Sequence, residues 1–148
     1  MATVRKLLSE KNDTKVYTVA TSDTVLKALE TMAEGNTGAV LVTEDDKIVG
    51  IFTERDYARQ GEIKGHSAKE MIVGDFMTRK LVMVKPETSL QECAQLMRTY
   101  HLRHLPVLEQ DNIVGIVSIR GLAEGLLEVQ KGTIVQLENY IMGTGYGH

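Results

Sequence analysis

Thr53 and Ser118 each stand where a run of apolar and β-branched residues gives way to a helical pattern: Ile48–Phe52 precedes the first and Ile113–Val117 the second. A hydroxyl there sits beside the first unbonded backbone N–H groups of a helix, at the positive end of its dipole. Together they offer donors that suit a phosphate. Asp56 follows Thr53 by three residues, one helical turn on and on the same side. A carboxylate in that place can accept two hydrogen bonds from a vicinal diol, as a ribose offers. Taken alone, both residues have a plainer reading, Thr53 as an N-cap and Asp56 as a favourable acid in a first turn. At the second junction Gly121 takes the place of Asp56, and Arg120 brings a fixed cation, with Arg103 and His104 upstream.

Catalytic chemistry has little support. No Ser-His-Asp or Cys-His order appears in a motif context, and Cys93 falls on an apolar helical stripe. His66, His101, His104 and His148 show no i,i+4 pair with a nearby acid, so no metal site is expected. Glu44, Asp45 and Asp46 lie in a polar stretch between two strand-like runs and read as solvated turn residues. The expectation is a protein that is not an enzyme and has no catalytic cofactor.

The elements around these residues occur twice. Shifting the sequence by 65 lays Val16–Tyr57 on Leu81–Leu122 without a gap, over 42 positions of which ten are identical, including the Ile48-Val49-Gly50-Ile51 block and Arg55/Arg120. Each copy opens with a short extended segment, Val16–Val19 or Leu81–Val84. Thr24 or Ser89 then caps a helix with one apolar stripe, Val25, Ala28, Leu29, Met32 and Ala33 or Leu90, Cys93, Ala94 and Met97. Two apolar runs around a polar loop, Ala39–Val42 with Ile48–Phe52 and Leu105–Leu108 with Ile113–Val117, predict hairpins. A second helix starts at Thr53 or Ser118, giving β-α-β-β-α in each copy.

One such copy buries too little surface to fold alone, so the two are expected to share a core as a pseudo-twofold pair. The resulting division is 1–60 for the N-terminal segment and first repeat, 61–74 for a glycine-bearing linker, 75–128 for the second repeat and 129–148 for a C-terminal helix and tail. Residues 3–11 could form a short helix, and Ala68–Ile72 a helical turn within the linker.

Composition narrows the partners. In 148 residues, 43% hydrophobic and 25% charged, there are 2 Pro and 13 Gly, which suits a folded chain. The net charge of −3 divides as −2 over residues 1–74 and −1 over 75–148, so neither half has the basic excess of a nucleic-acid binder. A single cysteine points to a reducing compartment, and no window approaches about 18 uninterrupted apolar residues, so a cytoplasmic chain without a membrane partner is expected.

The doubled unit resembles a pair of cystathionine β-synthase (CBS) domains over about residues 10–128. The residues that carry this are Gly50-Ile51-Phe52-Thr53-Glu54-Arg55-Asp56 closing the first copy, Asp75-Phe76-Met77-Thr78 ahead of the second, Leu105-Pro106-Val107, and the tail around Gln136–Ile141. The resemblance implies an α/β (α+β) fold of two β-α-β-β-α CBS repeats packed as a pseudo-twofold pair. It implies a regulatory module that binds an adenosine-containing ligand, AMP, ADP, ATP or NAD(H), between the copies. By the same carry-over, adenine would meet Lys15, Val16 and Tyr17 in the first copy and Lys80, Leu81 and Val82 in the second. Thr37, Gly38 and Ala39 would form the opposing wall. Tyr17 either covers one face of a purine or packs as core with a wet hydroxyl. Arg103, His104 and Arg120 would receive a polyphosphate or a second nucleotide moiety beside the Ser118 helix start, or else Arg103 and Arg120 are solvated and His104 is structural. A homodimer and a regulated protein acting in trans complete the expectation. The competing readings are an S-adenosylmethionine sensor and a constitutive interaction module without ligand.

Overall fold

Capping residues set where each element starts. In the computed structural model, which describes residues 2–10 and 16–139, the chain runs α1 (Val4–Glu10), β1 (Thr18–Ala20), α2 (Val25–Gly35), β2 (Ala39–Glu44), β3 (Lys47–Thr53), α3 (Glu54–Tyr57), α4 (Val73–Phe76), α5 (Leu90–Tyr100), β4 (His104–Glu109), β5 (Asn112–Ser118) and α6 (Ile119–Glu138). A π-helical turn, Ala58–Glu62, follows α3. Thr24 and Ser89 each accept a hydrogen bond of 3.1 Å from the backbone N–H three residues on, which satisfies one of the orphan donors of α2 and α5. Both helices end on a left-handed residue, Asn36 (φ 50°) and His101 (φ 55°), again 65 positions apart.

The hairpins β2–β3 and β4–β5 close through two consecutive left-handed residues, Asp45 and Asp46 (φ 51° and 65°) and Gln110 and Asp111 (φ 50° and 66°). That two-residue turn matches the right-handed twist of the strands it joins. In the first repeat β1 lies parallel to β2, with Val19 opposite Val42, so the sheet has three strands in the order β1-β2-β3.

The second repeat corrects the expectation of a strand over Leu81–Val84. Only Val84 bridges there, to Val107, at the register that Val19 and Val42 occupy in the first repeat. The cause is one residue. The Leu41 N–H donates to the Tyr17 carbonyl at 2.9 Å, whereas the residue aligned with Leu41 is Pro106, which has no N–H to give.

The chain divides into two compact units, one built on the first repeat and one combining α1, most of the second repeat and α6. In the first unit Val19, Val25, Ala28, Met32, Val40, Val42 and Phe52 form a buried cluster that also takes in Ala68, Met71, Val73 and Met77. The glycine-bearing segment is therefore tied down: the Val25 N–H donates to Met71 O (2.9 Å) and the Leu26 N–H to Ala68 O (3.0 Å). Its helical turn falls at α4, after Ile72, and residues 68–70 form a non-helical turn instead.

The second unit buries Val84, Leu90, Cys93, Met97, Leu105, Val107, Val117 and Leu122, closed by Val4 and Leu7 of α1. Although α1 precedes the first repeat in sequence, its Val4 and Arg5 N–H groups donate to Thr88 O and Pro86 O at 2.9 and 2.8 Å. The second helix of this repeat and the expected C-terminal helix are one continuous element, α6; the tail beyond residue 139 lies outside the described residues.

Candidate functional site

The first-repeat junction is built by β2, β3 and α3. Thr53 is the last residue of β3, paired with Ala39 of β2, and its extended backbone (φ −124°, ψ 160°) turns the chain into α3. The Glu54 N–H, first of the helix, donates to the Gly38 carbonyl at 3.0 Å. Thr53 Oγ1 accepts from the Asp56 N–H at 3.0 Å, and Asp56 Oδ2 accepts from the Thr53 N–H at 3.1 Å. This is a reciprocal capping box with Asp at the third position.

The plain reading of Thr53 and Asp56 as helix caps is thus realised in the fold, yet it leaves acceptor capacity over. A carboxylate has about four lone-pair sites, and Asp56 Oδ1 takes part in no hydrogen bond among the described residues. Burial pushes the Asp56 carboxyl up from its ordinary value, opposed by the hydrogen bonds to Thr53 and by the charges of Arg55 and Arg59. A half-buried carboxylate with an open oxygen gains from a hydroxyl donor that replaces lost water.

Val16 and Tyr17 lead into β1, and the Tyr17 carbonyl accepts from Leu41 of β2. The Tyr17 ring lies on Gly35: a Cβ added there would stand 2.5 Å from the ring. That position explains the missing side chain at Gly35, and Tyr17, partly buried, packs against the buried cluster. Thr37 Oγ1 lies 3.4 Å from Ala39 O, and Ala39 itself is buried. Lys15 lies outside the described residues.

At the second-repeat junction the backbone pattern recurs. Ser118 Oγ accepts from the Gly121 N–H at 3.0 Å, and the Ile119 N–H donates to Arg103 O at 2.8 Å, where Gly38 stands in the first repeat. The side chains differ. Gly121 offers no carboxylate, Arg103 is exposed, and Arg120 pairs with Glu124 at 3.4 Å. Glu124 is the residue that sequence reasoning missed, although i,i+4 spacing from Arg120 on a helix signals it. His104 opens β4 with Nδ1 buried and, among the described residues, without a hydrogen-bond partner; burial, then the charge of Arg103, lowers its pKa below 6.5. Lys80 is exposed and Val82 half-buried, both on irregular backbone.

Two copies of one capped strand-to-helix unit, on hairpins with the same turn and helices with the same caps, define a tandem-repeat α+β protein. The CBS domain family model matches residues 4–61 and 73–128, and the chain belongs to that family. It is 36% identical over 110 residues to the CBS domain-containing protein YhcV of Bacillus subtilis, covering 74% of this chain and 78% of that one. It is 38% identical over 131 residues to the mitochondrial CBS domain-containing protein CBSX3 of Arabidopsis thaliana, covering 85% of this chain but 63% of that protein's length. A solved CBS-domain protein from Burkholderia ambifaria superposes with a TM-score of 0.82 at 40% identity, covering 86% of this chain and 95% of that one. Among the described residues no helix is long and apolar enough to cross a membrane, and no group of His, Cys, Asp and Glu could hold a metal ion.

Proposed function

We propose that this chain is a regulatory module that binds an adenosine-containing ligand, AMP, ADP, ATP or NAD(H), and passes the bound state to a protein it regulates. CBS-domain pairs are in general regulatory modules for adenosine ligands, and the chain carries two such domains. The observation that carries the reading here is Asp56, half-buried, anchored by one oxygen to the Thr53 N–H and open at the other.

In this reading Asp56 accepts from the ribose diol, Thr53 and the Gly38–Ala39 backbone border the sugar, and Val16, Tyr17 and Thr37 border the base. Lys80, Val82, Arg103, His104, Ser118 and Arg120 are the corresponding candidates in the second repeat. Without a carboxylate at Gly121 that site binds its ligand by anion contacts instead of a diol clasp. The chain works as a cytoplasmic homodimer, without nucleic acid or membrane.

The test is thermal. A millimolar excess of AMP, ADP, ATP or NAD(H) raises the melting temperature, because a ligand that binds only the folded state stabilises it by mass action. Asp56→Asn keeps a cap acceptor while weakening the diol clasp, and it abolishes most of the shift. No shift with any of these compounds favours an interaction module without ligand, and a shift with S-adenosylmethionine alone favours the sensor of that compound.

A further inference from the structure

The last helix, α6, continues past residue 128, where the match to the second CBS domain ends, and runs to Glu138. From Leu127 to Glu138 every residue whose side chain is described is exposed, and a Cβ at Gly132 would meet nothing within 4 Å. About three turns of helix therefore stand with little packing from the fold. A helix that short is marginal in water by itself, because few hydrogen bonds offset the ordering of its first turn. Its side chains are not those of a solvated helix either. Leu127, Ile134 and Leu137 are 54%, 54% and 56% exposed, and with Gln130 they follow one another at steps of three and four, the spacing of a coiled-coil seam. Gly125 lies on the opposite side of the helix, against Leu7 and Leu90, so the seam faces away from α1 and α5. The five charged residues of α6, Arg120, Glu124, Glu128, Lys131 and Glu138, all fall along one edge of the seam, and the other edge carries none. Lys131 stands seven residues from Glu124 on one side and from Glu138 on the other.

We infer that the second half of α6 is an interface for a second copy of this chain, laid antiparallel to the first about a two-fold axis. In that arrangement each edge of the seam faces its own counterpart. Lys131 of one copy meets the partner's Glu124 or the partner's Glu138, and the two-fold axis makes the contact twice. A parallel pair would set the charged edge against the uncharged one and gain no ion pair. A surface that complements itself in both charge and apolar spacing fits a twin. The interface lies outside the matched domains and needs no ligand; it rests on the homodimer part of the reading above and on nothing in its adenosine part.

Sedimentation equilibrium of the full chain gives the dimer dissociation constant. Ile134→Glu places two carboxylates in the seam and weakens the dimer by about a hundredfold or more. Val135→Glu, at a residue 52% exposed but off the seam, leaves it unchanged. Lys131→Glu weakens it by about tenfold, since an attraction made twice becomes a repulsion made twice, and the combined exchange of Glu124→Lys, Lys131→Glu and Glu138→Lys restores it. Ile134 is exposed in the single chain, so the circular dichroism of Ile134→Glu retains the signal of the folded repeats. A dimer that survives Ile134→Glu, or one that Val135→Glu weakens as much, overturns the interface and leaves the homodimer to another surface. A dimer indifferent to Lys131→Glu overturns the antiparallel pairing. A monomeric wild type overturns the homodimer together with the interface and leaves the seam to a different protein, while the adenosine reading stands.

Discussion

His104 is held in a state that its surroundings make unfavourable to charge. Its Nδ1 is buried without a hydrogen-bond partner among the described residues, and burial together with Arg103 depresses its pKa below the ordinary 6.5. The folded chain therefore binds this proton less tightly than the unfolded chain. Stability from this residue is present above pH 6.5 and is lost as pH falls through the depressed value. Asp56 runs the other way: its carboxyl is pushed up, so its ionisation weakens the fold as pH rises through the upper carboxylate range. Replacing His104 by Leu separates the two effects. Urea unfolding at pH 7.5 and 5.5 then shows a smaller loss on acidification than in the wild type, with stability at pH 7.5 retained or raised because the orphaned nitrogen is gone. An unchanged difference between the two pH values would show that His104 titrates as a solvated imidazole.

At the scale of elements, what the sequence discloses is what local chemistry controls. Thr24, Ser89, Thr53 and Ser118 all accept the cap hydrogen bond expected of them, and both hairpins form around the polar loops. The missing strand of the second repeat turns on Pro106, a residue in plain view. Its effect appears only once Leu41 is seen donating across to Tyr17. Gly35 is likewise silent until the Tyr17 ring is placed on it. The Arg120–Glu124 pair was readable from spacing, whereas the burial of Ala68 and Met71 was hidden by the glycines around them. The glycines of α6 make this distinction measurable. A Cβ at Gly125 would meet the Leu7 and Leu90 methyls at 2.9 and 3.1 Å, while one at Gly132 would meet nothing within 4 Å. Gly132→Ala therefore stabilises the chain by about 1 kcal/mol through helix propensity, and at Gly125 the same change loses that gain to the displaced methyls. Denaturant midpoints of the two variants decide it, and equal gains would mean that α1 does not press on α6.

At the scale of the molecule, each unit has its own buried set, and the second is completed by a segment from the far end of the sequence. Val4 is fully buried and Leu7 6% exposed, Thr3 bridges Ser89, and Arg5 reaches Glu87 and Glu109 at 2.9 and 2.6 Å. Those ion pairs are exposed and contribute little, so the apolar contacts of α1 do most of the closing. Leu7→Ala accordingly destabilises by about 2–5 kcal/mol, the range for truncating a buried leucine. The effect is confined: in hydrogen exchange followed by mass spectrometry, the peptides around Val107 and Leu122 lose protection while those around Val40–Val42 and Phe52 keep it. Removing residues 1–10 deepens the same pattern. Equal loss across both repeats would show that the two buried sets unfold as one cooperative body. In that case the first repeat, with its Asp56 junction, would depend on α1 as much as the second does.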